Sequence, residues 1–433
     1  MNQEILKKVK GFYFMAVAVM MYYFIVEYID IGTYVTCRHV FALVLIFSAV
    51  LMFLYKPDVA RGVTVVRDAC VYSIPLGVII VVSLFIWFVN TVDTSTIARG
   101  LSSSLIFVNM LSMALGAGVM LYVFGKKGVW YNLAAILIAN ILMILSIIAQ
   151  YGLGAYVSEL VALITSFADV TGDIIVQAEI HELAFCLGAY LTYMLYKPKK
   201  SVAFVILLLL SLFCFLSALK RIAVIAIVIA LAFGYVLKFI AKYSPKTATR
   251  LITLLCILLF FVLLGYIALI EGDFFALLEK AGIHTSGRVG IYDAVDDFYE
   301  FSPSFLGNGI GFMAYQLTKA MDVGVASVHN DFLQFFIDLG FWGYIIWLVA
   351  MTLVRIWYFG RKGNVDNAIL TFVLMVYLII SSATDNTMNY PLLTGVLALL
   401  MMSGGFEENV RTMEYKLFGC VSTENREEGG ARL

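Results

Sequence analysis

Charge is what this sequence has least of. Only 13% of its 433 residues are charged, and 29 basic and 29 acidic side chains cancel to a net charge of zero. That balance gives no electrostatic reason to expect nucleic acid or any other polyanion as a partner. Proline is scarce at six residues, and the six cysteines are scattered. Cys186, Cys214 and Cys256 fall in apolar runs, Cys70 and Cys420 near expected inner segments, and Cys37 in an outer one. No disulfide framework and no metal-ligand spacing follow. An internal repeat, a low-complexity tract and a soluble domain are also missing. The opening lysines precede an apolar run as in a signal peptide. That run is about 18 residues long and has no small-residue cleavage site, so it reads as a retained first span.

What fills the sequence is apolar: 62% hydrophobic residues and a mean hydropathy of +0.96. Such a chain is expected to be an all-α polytopic membrane protein, because helices satisfy their own backbone groups in lipid. Windows long enough to cross about 30 Å of hydrocarbon lie near 11–29, 39–55, 70–90, 103–124, 129–149, 181–196, 201–217, 222–240, 251–270, 332–358, 368–384 and 391–406. Twelve spans are therefore expected. Nine occupy residues 1–270, a large loop with short helices occupies 271–331, three more spans occupy 332–406, and 407–433 form a tail. With the N-terminus inside, 22 of the 29 basic residues fall on inner segments, Arg355 among them. Both termini are then cytoplasmic and the large loop is extracytoplasmic. The end of the tail, "STENREEGGARL", reads as disordered, and 150–180 as an interfacial helix.

Seven basic residues stand against that bias: Arg38, Arg99, Lys220, Arg221, Lys280, Arg288 and Lys319. All four histidines, His39, His181, His284 and His329, are also assigned to the outer side, so any chemistry faces outward. Lys220 and Arg221 sit between two spans with almost no loop. They are open to two readings: a snorkelling pair touching lipid phosphates, or fixed cations for an anionic substrate. Arg288 opens an expected helix running to Ser302, capped by Ser286, where the first turn favours anions. Its planar fork matches phosphate oxygens; an ordinary surface arginine is the plainer alternative. Asp293, Asp296, Asp297 and Glu300 follow helical spacing, which suits a solvated face better than a divalent metal. "GNGIG" is a turn, not a nucleotide loop.

"VHNDFLQFFIDLG" places His329, Asn330 and Asp331 at the mouth of the tenth span, with Gln334 and Asp338 continuing a polar stripe. A polar stripe in lipid must face protein or a wet cavity. His329, with an ordinary pKa near 6.5, can take a proton at neutral pH; a helix-capping His-Asn pair is the alternative. The outer face of a membrane has no nucleotide-sugar supply, so a transferase there needs a lipid-linked donor. His329 would be its base, and Arg221 and Arg288 the cations that stabilise the leaving diphosphate. Those cations make a metal dispensable.

The ordered segments "SGRVGIY", "SPSFLGNGIGF" and "VHNDFLQFFIDLGFWG", preceded by "ALKRIAV", resemble the O-antigen ligase and polymerase-like membrane glycosyltransferases of bacterial envelopes. The motif-bearing part is roughly 215–345. The resemblance implies a helical bundle like those of other lipid-carrier-dependent glycosyltransferases, and an inverting reaction without an obligatory metal or other cofactor. By motif, Arg221 and Arg288 would hold the diphosphate and His329 would activate the acceptor. Lys220, Asn330, Asp331, Gln334, Arg99 and His181 are auxiliary candidates. Lys220 stands where the family commonly has Ser, and Tyr292 where it often has Trp. The expected substrate is a polyprenyl-diphosphate-linked oligosaccharide in the cytoplasmic membrane. Chain-length regulators or other polysaccharide assembly proteins are the expected partners, and nucleic acid is not among them. Polymerisation of repeat units is the leading activity. Transfer of a finished glycan to lipid or protein is the nearest alternative, and a flippase of lipid-linked sugars the more distant one.

Overall fold

A computed structural model describes residues 57–90, 94–165, 181–218, 220–272, 274–280, 288–317, 328–362 and 364–418, with 50 and 54 as single helical residues. The first two expected spans otherwise lie outside the described residues. The described chain is helical, with no strand. In order come α1 (Val59–Tyr72), α2 (Ile74–Val89), α3 (Thr94–Phe124), α4 (Lys127–Tyr151), α5 (Leu153–Thr165), α6 (His181–Tyr196) and α7 (Val202–Ala218). Next are α8 (Arg221–Tyr243), α9 (Pro245–Glu271), α10 (Phe274–Lys280), α11 (Arg288–Val295) and α12 (Phe312–Tyr315). The last are α13 (Asp331–Leu348), α14 (Arg355–Gly360), α15 (Val365–Ser382), α16 (Pro391–Ser403) and α17 (Phe406–Phe418).

Among the described residues six helices are long and apolar enough to cross a membrane, or seven if the bent pair α1–α2 is one span. Helices lie in every expected segment from 70–90 onward, but 70–90 straddles the α1–α2 bend, and α6, α7 and α16, at 16, 17 and 13 residues, are too short to count among these six. The architecture is that of a multi-pass membrane bundle. Its centre is α6, α15 and α16, whose side chains are buried almost throughout. α15 packs along α8 and α14, and α16 along α3 and α6. Around them, α7, α8 and α9 expose Val205, Leu209, Val228, Val236, Leu258 and Phe261. A ring of apolar side chains around a dry core is what lipid as solvent permits.

The expected tenth span is not one straight rod. Gly340 breaks it at φ 68° and ψ 179°. Phe335 and Trp347 have ring centroids 4.7 Å apart, and Phe336 and Tyr344 5.5 Å. A straight helix would separate Phe335 from Trp347 by about 18 Å, so 331–339 folds back against 341–348. Glycine is required at the bend: a Cβ on Gly340 would stand 2.2 Å from the Leu306 carbonyl carbon. The "LGNGIG" turn closes over it. Asn308 and Gly309 donate their N–H groups to Ile337 O (3.2 Å) and Asp338 O (2.7 Å), and Phe341 N–H reaches Phe305 O at 2.9 Å. Backbone groups freed by the break are thereby re-satisfied.

The helix opened by Arg288 is shorter than the sequence pattern suggests. It ends at Val295, continues as a 3-10 turn over Asp296–Phe298 and becomes extended at Tyr299. Phe301 N–H donates to Glu271 Oε1 at 2.9 Å, which holds the strand-like stretch against the end of α9. The acidic residues 293–300 therefore do not form one helical stripe. Ser286 lies outside the described residues.

Candidate active site

The fold-back sets the location of the polar triplet. Asp331 starts a half-helix of nine residues before Gly340, so it lies about 13 Å from the bend along that segment, recessed within the bundle. Asn330 caps the half-helix by accepting Leu333 N–H at 3.2 Å. Its Nδ2 donates to the hydroxyls of Tyr266 (3.1 Å) and Tyr292 (3.2 Å). Tyr266 in turn donates to Ala383 O at 2.9 Å. The Tyr292 contact ties α11, and hence the backbone of Arg288 one turn earlier, to the triplet.

His329 is half-buried and has φ 52°, the one non-glycine residue with positive φ among the described residues. That left-handed backbone costs of order 1–3 kcal/mol and persists only where surrounding contacts enforce it, a pattern that clusters at functional sites. Its Nδ1 is 3.4 Å from Asn386 Nδ2. Asp331 is buried; its Oδ2 accepts Met388 N–H at 2.8 Å and the Thr387 hydroxyl at 3.4 Å. Gln334 is buried with no hydrogen-bond partner for Oε1 among the described residues. Asp338 is buried, and neither of its carboxylate oxygens has a hydrogen-bond partner among the described residues.

The loop between α15 and α16 joins these parts, and sequence reasoning passed over it. Asp385 Oδ2 lies 3.2 Å from Lys220 Nζ, at the start of α8. Its Oδ1 accepts Asn386 N–H at 2.8 Å and the Tyr390 hydroxyl at 3.3 Å. Burial pushes the Asp385 carboxyl up. Lys220, the Asn386 N–H and nearby His329 together outweigh it and hold the group below the usual carboxylate range. Tyr390 is pushed well above its ordinary value, by burial first and then by Asp385, Glu182 and Asp331. Glu182 Oε1 accepts Leu392 N–H at 2.6 Å, fixing the entry to α16. A signal was available: "TDNTMNY" is a dense polar stretch between two long apolar runs, on the same side as His329.

Of the residues singled out from sequence, Lys220, His329, Asn330 and Asp331 thus gather around the 383–390 loop. Arg221 opens α8 and is exposed. The side chains of Arg99, His181 and Arg288 lie outside the described residues, as does all of His284. Arg99 is within α3, while His181 and Arg288 open α6 and α11. Among the described residues no group of three His, Cys, Asp or Glu side chains is arranged to hold a metal ion.

His329 thus stands beside a partly buried carboxylate–ammonium pair within an all-helical bundle of the multi-pass membrane class. The family model described as O-antigen ligase matches residues 205–348, about a third of the chain. The match is consistent with an O-antigen ligase-like family and, at that level, with a membrane glycosyltransferase of the ligase or polymerase type. It spans α7 to α13, including Lys220, Arg221, Arg288 and His329, and ends before Asp385. No curated protein matches the chain.

Proposed function

We propose that the protein joins polyprenyl-diphosphate-linked oligosaccharide repeats at the outer face of the cytoplasmic membrane. The observation that carries this reading is His329: left-handed, half-buried, at the recessed end of the folded-back half-helix and beside Asp385 and Asn386. In the proposed step His329 takes the proton from an acceptor hydroxyl. The acceptor oxygen bonds to the anomeric carbon from the face opposite the diphosphate, the carbon–oxygen bond to phosphate breaks, and polyprenyl diphosphate leaves. Configuration inverts. Arg221 and Arg288, each at the start of a helix, hold the departing diphosphate, where backbone N–H groups and the macrodipole add to the guanidinium charge. Lys220 is committed to Asp385 and acts through it. In this reading no metal takes part, so a chelator leaves turnover intact.

A second reading, transfer of a finished glycan to a lipid or protein acceptor, is favoured by the description of the matched model. One experiment separates the two. A deletion strain that accumulates single lipid-linked repeats outside the membrane supports the polymerase. Full-length polymer left on its lipid carrier supports the ligase. Repeats trapped inside would contradict both and indicate a flippase.

A further inference from the structure

Arg355 falls at the expected cytoplasmic end of the tenth span, and in the fold its side chain is interior. The residue is only 5% exposed, at the start of α14, directly after a π-helical stretch over Val349–Val354. Its Nε donates to Tyr72 O at 2.8 Å, where α1 breaks into α2, and its guanidinium carbon is 4.1 Å from the Tyr72 ring centroid. Its other donors have no partner among the described residues. Other basic side chains at this end of the bundle meet carboxylates: Arg61 meets Glu407, Arg67 and Lys362 meet Asp68, and Lys197 meets Asp366. Arg355 has no ion pair among the described residues.

Arg355 lines a cavity of about 30 Å³. Its remaining wall is apolar, with Phe335 and Trp347 prominent, apart from Tyr72 and the hydroxyl-bearing Thr387 and Thr394. A water needs about 10–15 Å³ on this measure, so the space takes two or three water-sized groups. A sugar or a prenyl chain is far too large. A guanidinium in such surroundings calls for a counter-charge, because an uncompensated buried cation costs several kcal/mol. The Thr387 hydroxyl is already directed to Asp331, so one positive charge and the Thr394 hydroxyl are left, and they suit one negative charge. A dianion such as phosphate would leave its second charge uncompensated in a low-dielectric wall.

We propose that this cavity binds a halide-sized monovalent anion, chloride in ordinary media, hydrogen-bonded by the free donors of Arg355. The anion neutralises the arginine and braces the junction of α1, α2, α13 and α14. It also borders Thr387 and Met388, which hold Asp331. The proposal does not depend on the glycosyl-transfer reading.

The test is thermal unfolding of the detergent-purified protein in sodium chloride against sodium gluconate at equal ionic strength. The expected result is a saturable chloride-dependent rise in Tm, on the order of 2 °C. Arg355→Met should abolish the increment, and Thr394→Val should shift its midpoint to higher chloride. Equal Tm in both salts, meaning that only water fills the cavity, overturns the proposal. So does an unchanged increment in Arg355→Met. If that variant does not fold, crystals of the wild type in sodium bromide decide: an anomalous peak within hydrogen-bond distance of the Arg355 guanidinium is expected, and its absence refutes the site.

Discussion

The two ends of α15 both carry charge pairs, and they are built differently. Beyond its N-terminal end, Lys362 meets Asp68 with side-chain exposures of 7% and 0%, and Tyr358 adds a 2.9 Å hydrogen bond to the same carboxylate. Lys362 is pushed down to about 8, by burial first and against the attraction of Asp68. Beyond its C-terminal end, Lys220 and Asp385 are 24% and 7% exposed, and a half-buried histidine on a left-handed backbone stands alongside. The first pair is closed and clamps α1 to the segment after α14. The second is open on one side and borders a group able to exchange a proton. Structural ion pairs also perturb the pKa values of their members; openness and backbone strain together are what distinguish the second.

The widest expected separation between the ends comes from His329→Ala. Removing a general base should lower transfer by about 10²–10⁴-fold, with the protein still inserted and its unfolding midpoint near that of the wild type. Activity of purified protein in liposomes checks this, and full turnover would remove His329 from the chemistry. Lys362→Met should do the reverse. Leaving the buried Asp68 with only Arg67 and Tyr358 as partners should cost stability, by at most about 3–5 kcal/mol, while turnover per folded molecule stays unchanged. Chemical unfolding together with activity normalised to folded protein measures both, and loss of turnover without loss of stability would erase the contrast.

Asp385→Asn comes next. It keeps the shape but weakens charge-assisted contacts to Lys220, each worth about 1.5–3 kcal/mol, so activity should fall on the order of 10–100-fold if these are felt in the transition state. Lys220→Met should fall in the same range, and the double variant should be no worse than the worse single one. Additive losses would mean that the pair does not act as a unit. The smallest effect is acid stability. Because the folded Asp385 carboxyl lies below its ordinary value, its contribution is complete above about pH 4, the usual unfolded value. It is lost as the pH falls through the folded pKa. Wild type should lose stability below that point more steeply than Asp385→Asn. Parallel acid limbs would show that the depressed carboxyl contributes nothing.

The helices were the legible part of the sequence. Long apolar runs, broken by "YKPD", "YKPKK" and "YSPK", located α2 to α4, α6 to α9 and α13 to α16 because hydrocarbon leaves the backbone few other solutions. His329, Asn330, Asp331 and Lys220 were legible as well, since polar groups beside apolar runs are costly enough to stand out. Asp385 was not singled out, because a six-residue connection between two spans reads as an ordinary turn until its partner, 165 residues earlier, is brought beside it. The burial of Arg355 was not legible for a related reason: at the inner end of the expected 332–358 span, sequence does not say whether an arginine faces the membrane surface or the bundle interior.

By itself, the sequence determined that this chain must be helical and buried in lipid, because its apolar runs and scarce charges leave no other way to satisfy the backbone. Only the tertiary structure decided that the half-helix behind His329 folds back at Gly340, that Lys220 turns to Asp385, and that Arg355 faces inward. Those outcomes depend on which side chains meet across helices distant in sequence. One-dimensional periodicity carries no information about such meetings.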